Sequence, residues 1–248
     1  MSEKAKAKDK TLRIVTYNIH KCRGMDARVR PERIAAVLKE LNADVIALQE
    51  VVRGRKEKDQ LVEVAHALGA KHYRFGMTRK HRTADYGNAI ISRFPIISYE
   101  AYDITASRRE PRGCLRADID FNGEVIRLFN AHLGTGLFER RKQAQILVHE
   151  NMLGNPKFYG SRIVLGDFNE WTRGLTTKLL KTHLVSADLR PFLKRMKTYP
   201  GMMPFMHLDH IYFDPKFQLA NIELFKTRLS KVASDHLPLI AEFRVPAA

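Results

Sequence analysis

Asn18, Glu50, His132, Asp167 with Asn169, Asp209 with His210, and Asp235 with His236 share one feature: each stands where a run of apolar, often β-branched residues stops. Side chains of these types prefer water, so their recurrence beside apolar runs needs a cause. A single Asp at the end of a strand is ordinarily a turn former. The set as a whole has a chemical reading. Cleaving a phosphate ester needs a metal to neutralise the non-bridging oxygens, a base to activate water, and donors that hold the phosphoryl group. Hard oxygen donors suit Mg²⁺ or Mn²⁺. Rival chemistries lack their residues: Cys22 and Cys114 are the only cysteines and are spaced unlike a zinc site, and neither an HExxH helix nor a GxxxxGK[ST] phosphate loop is present.

The elements that must position these residues follow from periodicity. Residues 12–18 (LRIVTYN) alternate apolar and polar as a strand does and end on Asn18. Pro31 opens a helix over residues 31–41, in which Ile34, Val37, Leu38 and Leu41 recur at steps of three and four. Residues 45–48 form a short apolar run closed by Gln49 and Glu50, and a second helix is expected over 61–68, stopped by Gly69. Strands are expected at 88–92, 115–121 and 125–131, the last two joined by Asn122-Gly123, a type I′ hairpin signal. Further on come a helix over 138–153, a strand at 162–165, a helix over 176–184, and strands at 208–213 and 237–245. Helices alternating with strands and hairpins point to an α/β fold in which two sheets pack face to face under helices. Asp235 and His236 would point to opposite faces of a regular strand, so that pair is expected on a loop.

Residues 11–248 are expected to form one domain and the lysine-rich segment up to about Lys10 a disordered tail. The 43 Lys and Arg against 27 Asp and Glu give a net charge of +16, which attracts polyanions such as nucleic acid or an anionic membrane surface. No run approaches the roughly 18 apolar residues of a membrane span, and no secretory signal is evident at the start, so a monomeric cytoplasmic protein with reduced thiols is the expectation.

The blocks TYNIH (16–20), LQEV (48–51), GNAIIS (87–92), NAHL (130–133), GDFN (166–169), LDHI (208–211) and SDHLP (234–238) resemble, in order, the signature blocks of the endonuclease/exonuclease/phosphatase superfamily, the deoxyribonuclease I-like proteins. The likeness runs from about residue 11 to 245 and is that of a bacterial-type single domain. It implies a four-layer α/β sandwich of two mixed sheets flanked by helices, and a phosphoesterase that uses Mg²⁺ or Mn²⁺ and in-line attack by water. Carried over position by position, it makes Glu50 the main metal ligand with Asn18 beside it and Asp235 near or through water. Asp167 would orient or deprotonate the attacking water, and Asn169 would hold the water or the phosphate. His236, oriented by Asp209, would contact the scissile phosphate, and His132 would be the second histidine of the site. A buried Asp is the usual device for fixing a histidine tautomer, which Asp209 satisfies.

Other positions have plainer readings beside functional ones. His210 reads as a strand side chain, Asp85 or Tyr86 as support for His132, and Arg109 and Arg112 as a phosphate grip or a solvated rim. AP endonucleases of the superfamily have a Tyr-containing block where NAHL stands here, which turns the reading away from abasic-site repair. Residues 202–206 (MMPFM) form an apolar loop suited to a base, a lipid or the core. A phosphodiester of nucleic acid is the leading reading, a phospholipid or sphingomyelin headgroup reached by peripheral membrane contact, or an inositol phosphate, stands beside it, and the sequence does not choose between them. A catalytically inactive polyanion-binding protein of the same fold is the competing class.

Overall fold

The structure is a computed structural model that describes residues 10–54, 59–170, 174–187, 197–202 and 206–245. Residues 1–9 of the expected tail, and residues 203–205 of the apolar loop, lie outside the described residues. The strands are β1 (Lys10–Asn18), β2 (Val45–Arg53), β3 (His72–His81), β4 (Ala84–Ser92), β5 (Ile96–Asp103), β6 (Gly113–Phe121), β7 (Glu124–His132), β8 (Arg162–Asp167), β9 (Val185–Ser186), β10 (Asp209–Phe213), β11 (Gln218–Leu224) and β12 (Leu239–Val245). The α-helices are α1 (Pro31–Leu41), α2 (Gln60–Ala67), α3 (Leu137–Leu147), α4 (Leu175–Leu180) and α5 (Arg228–Ala233). Among the described residues no helix is long and apolar enough to cross a membrane.

The strands form two six-stranded sheets, ordered β11-β12-β1-β2-β4-β3 and β5-β6-β7-β8-β10-β9. Strand alternation decides the layers. Leu12 and Ile14 of β1 and Val45 and Ala47 of β2 meet Leu128, Ile163, Leu165 and Ile211 of the second sheet in one apolar layer. The alternate residues Val15, Tyr17, Ile46 and Leu48 turn outward onto Ile34, Leu38 and Leu41 of α1 and Leu61 and Val64 of α2. Phe129, Ala131, Val164 and Tyr212 likewise pack outward with Leu147 of α3 and Leu180 of α4. The result is the expected sandwich of helix, sheet, sheet and helix layers.

At the centre of each sheet lies a parallel pair, β1 with β2 and β7 with β8; their neighbours run antiparallel. The crossovers between paired strands carry α1 and α3. All four parallel strands therefore end at the same edge of the sandwich, where β10 and β12 begin. Open α/β sheets bind ligands beyond the carboxyl ends of such strands.

The Asn122-Gly123 turn has positive φ at both residues (55° and 94°), as a type I′ hairpin requires. α1 ends on Asn42 at φ 49°, and α2 is capped by Asp59, which accepts bonds from the Leu61 and Val62 amides. α3 stops at Leu147 rather than 153, because a turn returns Leu153 N to the Leu147 carbonyl and keeps Met152 and Leu153 buried without a helix. β3, β5, β9, β11 and α5 are additions to the sequence reading. β5 is an edge strand whose only buried residue is Ile96, so it carries no alternation to read.

Candidate active site

Toward the edge where the parallel strands end, the rows of the inter-sheet core change from apolar to polar. β8 runs Ile163, Leu165, Asp167 along its inner face, and β7 runs Leu128, Asn130, His132. Cross-strand register sets His132 beside Asp167 and Asp167 beside Asp209. The sheets are locked just beneath by buried amides: Gln49 Nε2 donates to Asn130 Oδ1 at 2.7 Å, and Asn130 Nδ2 donates to the Leu48 and Ala89 carbonyls at 2.9 Å. Asn88 Nδ2 extends the layer to the Gly113 and Asn130 carbonyls. These amides lie within the signature blocks, yet their service is to join sheets.

Glu50 would face the outer helices on a regular strand, in phase with Ile46 and Leu48. A bulge between Leu48 and Val51 and a left-handed Glu50 backbone (φ 57°) re-aim it toward the site. β2 then continues to Arg53, beyond the apolar run that the sequence shows. Gly166 is also required: its φ is 138°, and a Cβ there would collide with the Ala131 carbonyl oxygen.

The side chains converge on one atom, Asp167 Oδ2. Asn18 Nδ2 donates to it at 3.0 Å, His236 Nε2 lies 3.5 Å away and His132 Nε2 3.6 Å away. Asn169, itself left-handed at φ 50°, donates its backbone N–H to Asp167 Oδ1 at 2.9 Å and its amide to the Leu133 carbonyl. His236 Nδ1 pairs with Asp209 Oδ2 at 3.0 Å, so the ring is held between two carboxylates. Burial alone would lower the His236 pKa, but Asp209 and then Asp167 outweigh it and raise it to about 10, making the ring an imidazolium at neutral pH. Burial and Arg112, against the pull of Asp167, press His132 down to about 4. Two histidines in one pocket thus hold opposite charge states. The Ser234 hydroxyl donates to the Asn18 carbonyl at 2.7 Å and fixes to β1 the loop that presents Asp235 and His236.

Glu50 Oε1 faces Asn18 Nδ2 at 3.4 Å, and Oε2 accepts from Lys21. Burial pushes the Glu50 carboxyl up, while His132, which is itself cationic at the low pH where Glu50 titrates, and then Lys21 outweigh it and hold the Glu50 pKa at about 2. Asp235 pairs with His20, Nδ1 to Oδ2 being 3.6 Å. Among the described residues no three His, Cys, Asp or Glu side chains gather tightly enough to hold a metal by themselves. The hard oxygen donor that faces the pocket is the Glu50 carboxylate; Asn18 beside it turns its Nδ2 toward Glu50, while its Oδ1 accepts from the His20 N–H at 3.0 Å.

Arg112 is buried and contacts His132 (Nη1 to Nε2, 3.0 Å) and Glu110 (2.8 Å), whereas Arg109 is exposed on the preceding turn. Asp85 is spent on a surface ion pair with Lys80, and the charged neighbours of His132 are Arg112 and Asp167 instead. Tyr86 is buried under Arg79, 4.4 Å from its ring, and burial together with the Glu50 charge pushes its phenol well up. His210 faces outward, stacks near Phe168 and Tyr212 and bonds the Glu170 carbonyl, as its plain reading expected. Met202 is exposed and Met206 bridges to Tyr199, whose ring lies 5.0 Å from His236. His20, Lys21 and Tyr199 were given no role in the sequence reading; His20 closes the TYNIH block and Lys21 follows it, which was the available signal.

A model of the Endonuclease/Exonuclease/phosphatase family matches residues 15–236. The uncharacterized protein YbhP of Escherichia coli (strain K12) is 30% identical over 253 residues, covering 95% of this chain and 97% of YbhP. The endonuclease/exonuclease/phosphatase of Beutenbergia cavernae superposes with a TM-score of 0.78 at 23% identity, over 96% of this chain and 72% of that one. TDP2 of D. rerio, solved with a single-strand DNA product, superposes with a TM-score of 0.72 at 17% identity, over 96% of this chain and 100% of that one.

Proposed function

Because the chain belongs to the Endonuclease/Exonuclease/phosphatase family, we propose that it is a divalent-metal-dependent phosphodiesterase that cuts nucleic acid by in-line attack of water on phosphorus. The observation that carries this reading is the convergence of Asn18, His132 and His236 within 3.6 Å of Asp167 Oδ2, with one histidine cationic and the other neutral. A carboxylate so placed orients a water molecule and takes its proton, which is general base work.

His236 supplies the complementary charge. Its Nδ1–H is engaged by Asp209, and its Nε2–H donates to a phosphate oxygen as negative charge develops there. No proton need move to charge this ring at neutral pH. Asn169 holds the attacking water or the phosphoryl group beside it. Neutral His132, beside Arg112 and Asp167, fixes the floor of the pocket. Glu50 would supply carboxylate oxygen to one hard dication, with Asn18 and Asp235 nearby; Mg²⁺ or Mn²⁺ held there would neutralise the non-bridging oxygens.

The net charge of +16 and the exposed Arg109 before Arg112 favour a polyanionic substrate. Phe138, 79% exposed on the segment that leaves His132, offers a face on which a base stacks. Exposed Leu137, Phe138 and Met202 favour a phospholipid headgroup as the second reading.

The test is cleavage of single-stranded DNA or RNA in ¹⁸O-water with Mg²⁺ or Mn²⁺, using a substrate chiral at phosphorus. One solvent oxygen should enter the product phosphate with inversion. Retention would reveal a covalent enzyme intermediate and overturn the mechanism.

A further inference from the structure

Lys21 has no part in the chemistry above, yet its ammonium is the nearest cation to Glu50, with Nζ 2.5 Å from Oε2. The backbone goes to unusual lengths to put it there. His20, Lys21 and Cys22 are consecutive non-glycine residues in the left-handed region, at φ 45°, 59° and 55°. Such residues persist only where the surroundings over-determine them.

Here the surroundings do. Cys22 N bonds the Ile19 carbonyl, Arg23 N the His20 carbonyl, and Arg30 N the Cys22 carbonyl, while the Cys22 side chain is buried among the helix-side core residues. Gln60 ties this turn to the strand carrying Glu50: its Nε2 donates to the Lys21 carbonyl at 2.7 Å and its Oε1 accepts from Val52 N at 3.0 Å. Glu50 meets the turn from its own left-handed backbone at the β2 bulge. The neighbouring His20 sits on the other nearby carboxylate, Asp235. An incidental surface ion pair between flexible side chains needs none of this support.

We infer that Lys21 is a built-in counter-cation of Glu50, which a divalent ion must displace on entering, so that Lys21 sets the affinity of the site for metal. This rests on the reading that Glu50 holds the metal. An ammonium and a dication cannot both occupy Glu50 Oε2, because at such separations their repulsion is large even at a surface. With metal absent, Lys21 keeps the half-buried carboxylate neutralised; with metal present, the ammonium must turn away toward solvent. Lys21 is therefore a positioning residue.

The experiment is calorimetric titration of Mn²⁺ into the full chain without substrate, for wild type, Lys21→Met, Lys21→Arg and Glu50→Gln, with Lys21→Gln as a second neutral variant. The methionine keeps the stem and removes the charge. Lys21→Met and Lys21→Gln should bind Mn²⁺ about fivefold more tightly or better, the equivalent of a modest ion pair that no longer competes. Lys21→Arg should stay near wild type. Glu50-dependent binding that the neutral variants leave unchanged or weaken would overturn the Lys21 inference alone. Binding that survives in Glu50→Gln would overturn the metal reading, and the inference with it.

Discussion

Replacing Asp209 by Asn tests how the site charges His236. Asp209 is fully buried, and its Oδ2 bonds His236 Nδ1 at 3.0 Å. Lifting the His236 pKa from 6.5 to about 10 corresponds to roughly 5 kcal/mol favouring the imidazolium, at about 1.4 kcal/mol per pH unit. Asp209 and Asp167 share that work against burial, and Asp209 contributes more and alone makes the hydrogen bond. Assigning it at least half gives a fall of about two pH units or more in Asp209→Asn. NMR titration of the His236 ring reads this directly. The sign for stability follows from linkage: a pKa raised on folding contributes stability that is full below pH 6.5 and is lost as pH rises through about 10. The stability gap between wild type and Asp209→Asn should therefore be widest below pH 6.5 and close toward pH 10. Turnover should drop about a hundredfold or more, because the Nε2–H donor is no longer oriented by a carboxylate on Nδ1. A His236 that still titrates near 10 in the variant would refute the assignment of its charge to Asp209.

Further outcomes follow from the same geometry. Asp167→Asn and His236→Ala should each lower kcat about a hundredfold or more with an unchanged circular dichroism spectrum; near-normal turnover in either removes that residue from the mechanism. With His132 neutral above about 4 and His236 charged below about 10, kcat should be level from about pH 5 to about pH 9, and an inflection near 6.5 would contradict both assignments. Asn130→Ala removes a side chain that bonds Gln49 and two carbonyls between the sheets, and should cost about 3 kcal/mol, seen as a fall in Tm of about 6–12 °C. A fall under about 2 °C would mean that water replaces the amide.

The strands that carry the site were legible because apolar alternation ended on a polar residue in each: Asn18 closes β1, His132 closes β7 and Asp167 closes β8. Their meeting was legible only through the order of the blocks, since alternation says which face a residue takes and not which strand lies opposite. Glu50 shows the limit. Its side chain reaches the site through a bulge and a left-handed φ that no periodicity announces. Gln49, Asn88 and Asn130 stood within the recognised blocks, but a buried amide layer takes its meaning from partners 25 or more residues away. Lys21 and His20 were given no role because polar residues just beyond the end of a strand ordinarily read as solvated surface. Asp85 was read toward His132 from proximity to GNAIIS, whereas its exposed place on β4 gives it to Lys80.

The most direct measurement is hydrolysis of a matched panel of single-stranded DNA, RNA, plasmid DNA, phospholipid and sphingomyelin vesicles, and inositol phosphates, with Mg²⁺, with Mn²⁺ and with EDTA, comparing wild type with Glu50→Ala. Metal-dependent cleavage of a nucleic acid that EDTA abolishes and Glu50→Ala lacks is the expected result. Hydrolysis indifferent to EDTA and to Glu50, or no hydrolysis of any phosphoester by the wild-type chain, would contradict a metal-assisted phosphodiesterase built around Asp167 and His236.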